Sequence, residues 1–354
     1  MSNEVFKDLD ARIKTFNRDN KKSFKKDYSK KPDSQKQPPS GSINEMTVKF
    51  RDSVAEMFIQ CISDDAKQEQ WHSGWATYME TPVNGITNVR YRGINRLYLM
   101  MLMMRNGWTD NRFMTFRQAE KAHYTIKKGS KSVLVEYWFP YDFTNEKTLT
   151  WDEYNEMTSK TEDGEESPKI GLTAKYFHVF HASQINGIPE LKQQPVETIE
   201  PNLLISRISK EMGVPILHDG KNNAYYQLDT DDIHLPPLNA FLSAYDYAWA
   251  ALHELGHATG SPTRLNRNQA GNFGSEEYAK EELIAEITST FMSPQLGPTA
   301  MCRDYGNHRA YVQSWIKAIK DDARHKVLFD AIKEAEKASD YMQSFLKTEV
   351  EQNG

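Results

Sequence analysis

The sequence predicts an α+β protein with two successive domains, and three features of its 354 residues support this fold class. Apolar residues recur with helical spacing in several segments, including 93–106. Apolar and polar residues alternate, as they do in strands, at 133–139 and again at 175–180. A segment rich in proline, glutamine and glutamate, at 191–201, is the best candidate for a linker between the domains.

The sequence divides into four regions. Residues 1–43 hold eleven lysines and arginines against six aspartates and glutamates, a difference of +5, in a chain whose net charge is −5. We expect this polar arm to be largely disordered and to act either as a solubilising tail or as a weak binder of polyanions. The first predicted domain spans 46–190, the linker 191–201 and the second domain 202–350.

Each predicted domain mixes helices and strands. In the first, the patterns predict helices near 48–62, 93–106 and 116–123, strands at 133–139 and 175–180, and an exposed acidic loop at 155–169. In the second, a helix at 202–212 and short strands at 224–228 and 232–235 precede two helices, which contain His253 and Glu282. A helical stretch from 308 to 347 follows them.

Composition argues against a membrane or secreted protein. Hydrophobic residues make up 38% and charged residues 26% of the chain, which is typical of globular proteins in water. The longest apolar run, 97–104, is far shorter than the roughly 18–20 residues that span a bilayer. The first residues lack a secretion signal, and the two cysteines, Cys61 and Cys302, provide no disulfide framework. We therefore expect a cytoplasmic protein without a membrane partner.

The strongest motif is His-Glu-Leu-Gly-His at 253–257, within a long predicted helix. Residues four apart lie on one face of a helix, so His253 and His257 present two imidazoles to a common point, as a tetrahedral Zn²⁺ site requires. Glu254 is placed to take a proton from water at the open coordination position. The alternative is a core helix that carries two surface histidines.

A catalytic zinc needs a third protein ligand, and an acidic helical run at 280–291 supplies candidates. Glu282 and Glu286 lie one turn apart beside an apolar stripe, where a carboxylate is costly unless it meets a metal or a positive charge. We assign Glu282 as the ligand and Glu286 as a second-shell acceptor for one histidine, with the reverse as the main alternative. Both could instead pair with a lysine. Glu281 is expected to point away into solvent.

Residues on the strands before the motif could line a cleft. His234 precedes the motif helix and is either a cleft residue beside an extended substrate or an ordinary strand histidine. Tyr225 and Tyr226 are candidates for stabilising an oxyanion.

A basic and aromatic block lies between residues 90 and 132. It has ten lysines and arginines against Asp110 and Glu120, with aromatic residues interleaved. Positive side chains attract phosphates, and aromatic rings stack on unpaired bases. The block is therefore either a surface for single-stranded nucleic acid or a basic, solvated face. The candidate contact residues are Arg90, Tyr91, Arg92, Arg96, Trp108, Arg112, Arg117, Lys127, Lys128 and Lys131.

Three groups of motifs between Met46 and Phe291 together resemble the ArdC family of antirestriction proteins, which conjugative plasmids and some phages carry. The first is Tyr-Arg-Gly-Ile-Asn-Arg-Leu at 91–97, with 115–119 and 127–131 after it. The second is the run 177–189, and the third comprises 232–237, 253–260, 264–267 and 278–287. Any one of these motifs is moderately specific, whereas the combination is specific.

The resemblance implies an N-terminal domain that binds single-stranded DNA and a C-terminal gluzincin-like metallopeptidase domain that holds Zn²⁺. It implies zinc ligation by His253, His257 and the acidic helix, and base chemistry at Glu254. Ser261 stands where many relatives have another histidine, which alters a flank and not a ligand. The basic arm lies outside the family pattern.

Three functional hypotheses remain. The leading one is an antirestriction protein that binds single-stranded DNA and protects incoming plasmid or phage DNA, through hydrolysis of an unidentified peptide substrate. The second is a DNA-binding shield with a structural zinc domain, against which Glu254 argues because a structural site needs no base. The third is a metalloprotease effector that cleaves a host protein. The sequence indicates no oligomeric state.

Overall fold

The computed structural model describes residues 45–63, 80–159, 169–191, 200–221, 223–241, 243–269, 271, 275–296 and 324–346. They form two compact units. One contains 113–188 and the chain up to residue 53, and the other contains 54–112 and the chain from residue 189 onward. The basic arm, most of the predicted linker and the first part of the predicted 308–347 helix lie outside the described residues.

The described elements mix helices with mostly antiparallel strands, in agreement with the α+β prediction. The helices are α1 (Glu45–Ser63), α2 (Gly93–Asn106), α3 (Phe116–Lys121), α4 (Trp151–Ser159), α5 (Pro201–Met212), α6 (Ala244–Ala258), α7 (Glu276–Met292) and α8 (Arg324–Ser344). The strands are β1 (Val83–Asn84), β2 (Arg112–Thr115), β3 (Thr125–Ile126), β4 (Val133–Asp142), β5 (Lys147–Thr148), β6 (Ile170–His181), β7 (Ile185–Asn186), β8 (Ile216–Leu217), β9 (Tyr225–Gln227) and β10 (Asp232–His234). Short 3₁₀ turns lie at Ala182–Gln184, Leu238–Ala240 and Ser293–Leu296.

An antiparallel sheet forms the centre of the first unit. Strands β2, β6, β4 and β5 lie side by side in that order, and β4 and β6 pair along the whole of β4, from Val133 opposite Val179 to Asp142. Alternate side chains of these strands point to opposite faces. One face packs against the start of α1, where the rings of Phe50 and Tyr176 meet edge-on with centroids 5.9 Å apart.

Local hydrogen bonds decide where α4 begins and correct the predicted loop at 155–169. The N–H of Glu153 donates to the Thr150 hydroxyl at 3.2 Å, and the N–H of Thr150 donates to the Glu153 carboxylate at 2.7 Å. This reciprocal pair is a capping box, which satisfies N–H groups that have no partner within the helix. The helix then continues to Ser159, so the loop prediction is wrong for 155–159.

Helix α2 belongs to the second unit, although the sequence placed it in the first predicted domain. All residues from 97 to 103 are buried, and a helix that is apolar on all sides must be surrounded by other elements. Those elements include α8, and the Arg96 guanidinium donates to the backbone carbonyl of Phe291 on α7. The compact units therefore interleave along the chain, because contacts distant in sequence determine them. The contiguous boundaries 46–190 and 202–350 stay a prediction.

Three helices and a small sheet support the motif at 253–257. Strand β10 lies in the middle of this sheet, parallel to β8 and antiparallel to β9. Helix α6 packs against α5, α7 and the outer strand β9. No helix among the described residues combines the length and the apolar character needed to cross a bilayer.

Candidate metal centre

The motif lies on the last two turns of α6, as the sequence predicts. Ser243 caps the start of the helix by accepting a hydrogen bond from the N–H of Asp246 at 3.1 Å. His253 and Glu254 are buried, and His257 is partly buried. The two imidazole rings are 4.9 Å apart and meet edge to face at 80°, so both face the same side of the helix.

A glycine brings the acidic helix close to the motif. A β-carbon added at Gly256 would lie 3.2 Å from the α-carbon of Ala285 on α7, a contact that is tighter than most real ones. The absence of a side chain at Gly256 therefore allows the two backbones to approach. This approach carries the carboxylates of α7 up to the histidines of α6.

Glu282 contacts the Nε2 atom of both motif histidines. Its carboxylate oxygens lie 3.4 Å from Nε2 of His253 and 3.6 Å from Nε2 of His257. One ligand atom from each of these three residues lies within 4.8 Å of the other two, which is close enough for a single ion to contact all three. Two imidazoles and a carboxylate are the ligands of many catalytic zinc sites.

Two further glutamates each face Nδ1, the second ring nitrogen, of one motif histidine. Glu286 lies 3.3 Å from Nδ1 of His253, and Glu281 lies 3.3 Å from Nδ1 of His257. The prediction that Glu281 is solvated is wrong, because α7 is buried on nearly all sides and Glu281 is only 7% exposed. A carboxylate at Nδ1 fixes the ring orientation and directs Nε2 toward a ligand position.

The loop that follows α6 holds Glu281 in place. The Arg267 guanidinium donates to both Glu281 oxygens, at 2.6 and 3.0 Å, and to the carbonyl of Gly256 at 2.8 Å. Gln269 donates to Glu281 at 3.1 Å and to the carbonyl of His257 at 2.8 Å. Sequence analysis noted Arg267 only within a family motif and missed this role, which no local pattern signals.

The electrostatics of the cluster favour a divalent cation. Four carboxylates, those of Glu254, Glu281, Glu282 and Glu286, are buried around the two motif histidines, and the Arg267 guanidinium pairs with one of them, Glu281. Buried charges of one sign are costly unless a counter-charge balances them. The carboxylate-rich surroundings and the donor set therefore fit a divalent metal ion.

The individual pKa values show how the charges are coupled. Burial alone would raise the pKa of Glu282, but the hydrogen bond with His253 and the charges of the two motif histidines outweigh it and lower that pKa to about 2. Burial would lower the pKa of His253, yet hydrogen bonds to Glu282 and Glu286 raise it well above its usual value. Glu282 is therefore an anionic donor.

Glu254 is on the motif helix α6, and its carboxyl interacts with the backbone N–H of Tyr226 on strand β9. Burial raises the pKa of its carboxyl, although the motif histidines and the backbone N–H of Tyr226 lower it in part. A carboxylate with a raised pKa accepts a proton more readily than an exposed one, which suits a general base. Glu254 interacts electrostatically with His253, His257 and Glu282, and its role as a general base stays a prediction.

The strand residues differ in their contacts. His234 lies on the central strand β10, stacks on Tyr225 at 4.6 Å and contacts Asp219 at 3.1 Å. It is therefore an ordinary strand histidine, since β10 is hydrogen-bonded on both sides. The Tyr226 hydroxyl donates to Asp231 at 2.6 Å, and its role as an oxyanion donor stays a prediction. The outer strand beside the motif is β9.

The predicted nucleic-acid residues fall into two sets. The predicted contact residues that lie in the first unit are all exposed, and they are Arg117, Lys127, Lys128 and Lys131. Those assigned to the second unit are Arg90, Tyr91, Arg92, Arg96, Trp108 and Arg112. The block therefore does not belong to one compact unit.

Three arginines of the second set have structural partners. Arg96 is only 4% exposed, so its assignment as a DNA contact is wrong. Arg92 pairs with Asp340, and Arg112 pairs with Asp110 at 2.7 Å. Arg96 is buried because it lies on α2, where its guanidinium contacts Glu336 and the carbonyl of Phe291. Arg90 is exposed, whereas Tyr91 and Trp108 are half-buried, and all three stay predictions.

Sequence analysis also missed an aromatic face on the sheet of the first unit. Tyr137, Phe139 and Tyr141 occupy alternate positions of β4, Phe143 follows them, and Phe177 of β6 lies beside Tyr137. Aromatic residues two positions apart in a predicted strand are the signal that could have found this face.

Comparison with known proteins identifies both parts of the chain. A model of the N-terminal domain of anti-restriction factor ArdC matches residues 49–180, and a model of zincin-like metallopeptidases matches residues 204–334. The antirestriction ArdC protein from plasmid R388 has been solved metal-free and with Mn(II) bound, and this chain is 28% and 29% identical to those structures, with TM-scores of 0.63 and 0.62. In each case 83% of this chain and 97% of the other are covered.

Two relatives extend the comparison. The chain is 36% identical to a DNA primase TraC from Escherichia coli over 86% of its own length, but it spans only 28% of that primase. It is 31% identical to the uncharacterized protein y4eC from Sinorhizobium fredii, over 80% of this chain and 87% of the relative. The chain thus belongs to the ArdC family of antirestriction proteins, with an ArdC N-terminal domain followed by a zincin-like metallopeptidase domain.

Proposed function

We propose that this protein counters restriction of incoming plasmid or phage DNA in the cytoplasm, that it binds single-stranded DNA, and that it carries a zinc-dependent peptidase site. The observation that carries the peptidase part is the convergence of His253, His257 and Glu282 beside the buried Glu254. The Mn(II)-bound ArdC structure supports a divalent ion, and the two-imidazole, one-carboxylate donor set favours zinc.

The chain's own residues supply the proton transfers of peptide hydrolysis. A divalent cation supplies Lewis-acid polarisation of the scissile carbonyl and makes a nearby water more acidic. Glu254 takes a proton from that water while the water oxygen bonds to the carbonyl carbon. Glu254 then passes the proton to the leaving amine as the carbon–nitrogen bond breaks. Glu281 and Glu286 hold the histidine rings during these steps.

The DNA-binding part rests on separate support. Exposed lysines lie in the first unit at positions 127, 128 and 131, within the segment that matches the ArdC N-terminal domain. The chain is also similar to a segment of a protein named as a DNA primase, of which it spans 28%. A host protein is the proposed peptide substrate.

The metal assignment is tested by measuring bound zinc per chain in the wild type, His253→Ala and His234→Gln. We expect about one zinc per chain in the wild type and in His234→Gln, which changes a histidine outside the cluster, and none in His253→Ala. Full retention of zinc in His253→Ala would overturn the assignment.

The role of hydrolysis is tested by a restriction-protection assay with Glu254→Gln. We expect this variant to keep its zinc but to lose protection, and to stop cleaving any host protein that the wild type cleaves. Protection at the wild-type level in Glu254→Gln would instead support the DNA-binding shield with a structural zinc domain.

A further inference from the structure

The two faces of the β4–β6 sheet have opposite characters. The even-numbered positions form the face that α1 covers, where Tyr176 donates to Thr47 at 2.7 Å and Arg51 pairs with Glu136 at 3.4 Å. The odd-numbered positions form the other face, which carries Tyr137, Phe139 and Tyr141 of β4. Helix α1 thus occupies the first face, whereas exposed rings lie on the second.

Two aromatic rings on this second face are exposed. Tyr137 is 56% and Phe177 42% exposed, and their ring centroids lie 6.3 Å apart. Phe139 stacks beside Tyr137 with centroids 6.1 Å apart, and Tyr141 and Phe143 continue the row. A cluster of large, exposed apolar side chains is often a site of interaction with a partner or ligand.

The charge of this face suits an anionic ligand. Lys175 lies opposite Tyr137 in the sheet, and its ammonium stands 4.3 Å from the ring centroid of Phe139. The odd-numbered positions of β4 and β6 hold no aspartate or glutamate, since Glu136 and Asp142 lie at even-numbered positions. The exposed lysines at 127, 128 and 131 precede β4 in the chain.

We propose that unpaired bases of single-stranded DNA stack on the exposed rings of this aromatic face, which is defined as Tyr137, Phe139, Tyr141, Lys175 and Phe177. The stacking rings are Tyr137 and Phe177, while Phe139 is only 7% exposed and supports Tyr137 from within the face. The inference rests on the DNA-binding part of the proposed function and assigns its site. It replaces the basic block as the main contact surface and keeps only the lysines of the first unit as phosphate contacts. Exposed rings offer stacking to the faces of unpaired bases, which a duplex hides, while Lys175 adds a charge for the phosphate backbone.

The test measures binding of a labelled oligo-dT of about 30 nucleotides, long enough for roughly two site lengths. The full chain is compared with Tyr137→Ala/Phe177→Ala, with the conservative Tyr137→Phe, and with Trp151→Ala as a matched control. Trp151 is 49% exposed in the same unit but lies on α4, outside the face. Bound zinc and the thermal midpoint of each variant are measured to confirm folding.

We expect the double variant to bind oligo-dT at least about tenfold more weakly, because each stacked base contributes a measurable share of affinity. Tyr137→Phe and Trp151→Ala should bind like the wild type. Lys175→Gln should weaken binding and reduce the salt dependence by about one charge, whereas Lys121→Gln on α3 should not.

Two results would overturn the proposal in different ways. If the wild type binds oligo-dT but the folded double variant binds equally well, this face is not the site, and the proposed DNA-binding function survives. If the wild type does not bind oligo-dT even at low salt, the proposed function fails and the inference fails with it.

Discussion

In the second unit four glutamate carboxylates are buried between α6 and the elements around it, whereas in the first unit two aromatic rings are exposed on a sheet. Glu282 and Glu286 are each 6% exposed, while Tyr137 is 56% exposed. Ordinary folding places these groups the other way round, with charges in water and rings in the core. Each region therefore holds groups whose placement costs free energy in the unbound protein, and a bound partner would offset that cost.

The first unit also contains a buried charge pair, which differs from the glutamate cluster. Arg51 and Glu136 balance each other, with side chains 8% and 3% exposed. The cluster around the motif has an excess of carboxylates instead. Burial of charge is thus not by itself a sign of a functional site, whereas several carboxylates gathered around two histidines are one.

The largest expected effect separates the two candidate third ligands. Glu282→Gln should weaken zinc affinity by more than about 100-fold, because Glu282 faces Nε2 of both histidines, whereas Glu286→Gln should weaken it by roughly 10-fold to 100-fold. Calorimetric titration with zinc measures both. A greater loss in Glu286→Gln would make Glu286 the ligand.

The next effect tests whether the buried pair of the first unit is purely structural. Arg51→Met removes the guanidinium that Glu136 faces, so the free energy of unfolding should fall by about 3 kcal/mol in urea titrations. Lys49→Ala, which removes an exposed pair with Glu45, should cause no measurable change. Zinc affinity should stay at the wild-type level in both, and a loss of zinc in Arg51→Met would contradict this separation.

A smaller effect is expected for the loop contact behind His257. Glu281→Gln and Arg267→Met should each reduce zinc affinity by about tenfold, since they loosen the orientation of the His257 ring without removing a ligand. Glu276→Gln, at an exposed position on the first turn of α7, is the control. If the zinc affinity of neither variant differs from that of this control, the contact holds the loop to α7 and does not orient His257 for metal binding.

The smallest effect concerns a carboxylate outside the cluster. A hydrogen bond from the Arg264 guanidinium lowers the pKa of Asp231, so this group stabilises the fold above its unfolded pKa and the contribution is lost as pH falls below about 4. Asp231→Asn should therefore lower the thermal midpoint at pH 7 and have less effect near pH 3. Asp229→Asn, at an exposed neighbouring position, should lower it at neither pH, and an equal loss at both pH values in Asp231→Asn would exclude the ionic contribution.

Periodicity and motif spacing predicted the elements better than their partners. The helix Gly93–Asn106 agrees with the prediction at both ends, and the long strands extend the predicted ones. The assignment of α2 to a domain could not be predicted in the same way, because its partners on α7 and α8 lie far along the chain. The prediction that Arg96 contacts DNA is wrong for the same reason, since a basic residue in a helix pattern gives no sign of burial.

The sequence by itself determined the α+β class, the positions of His253, Glu254 and His257 on one helix, and the family resemblance. These depend on local periodicity and on residue types at fixed spacing. Only the tertiary structure decided that Glu281 is buried against His257 and that one face of the sheet leaves its rings exposed. Both depend on which elements pack together: the close approach at Gly256 brings α7 to the motif, and α1 covers only one side of β4 and β6.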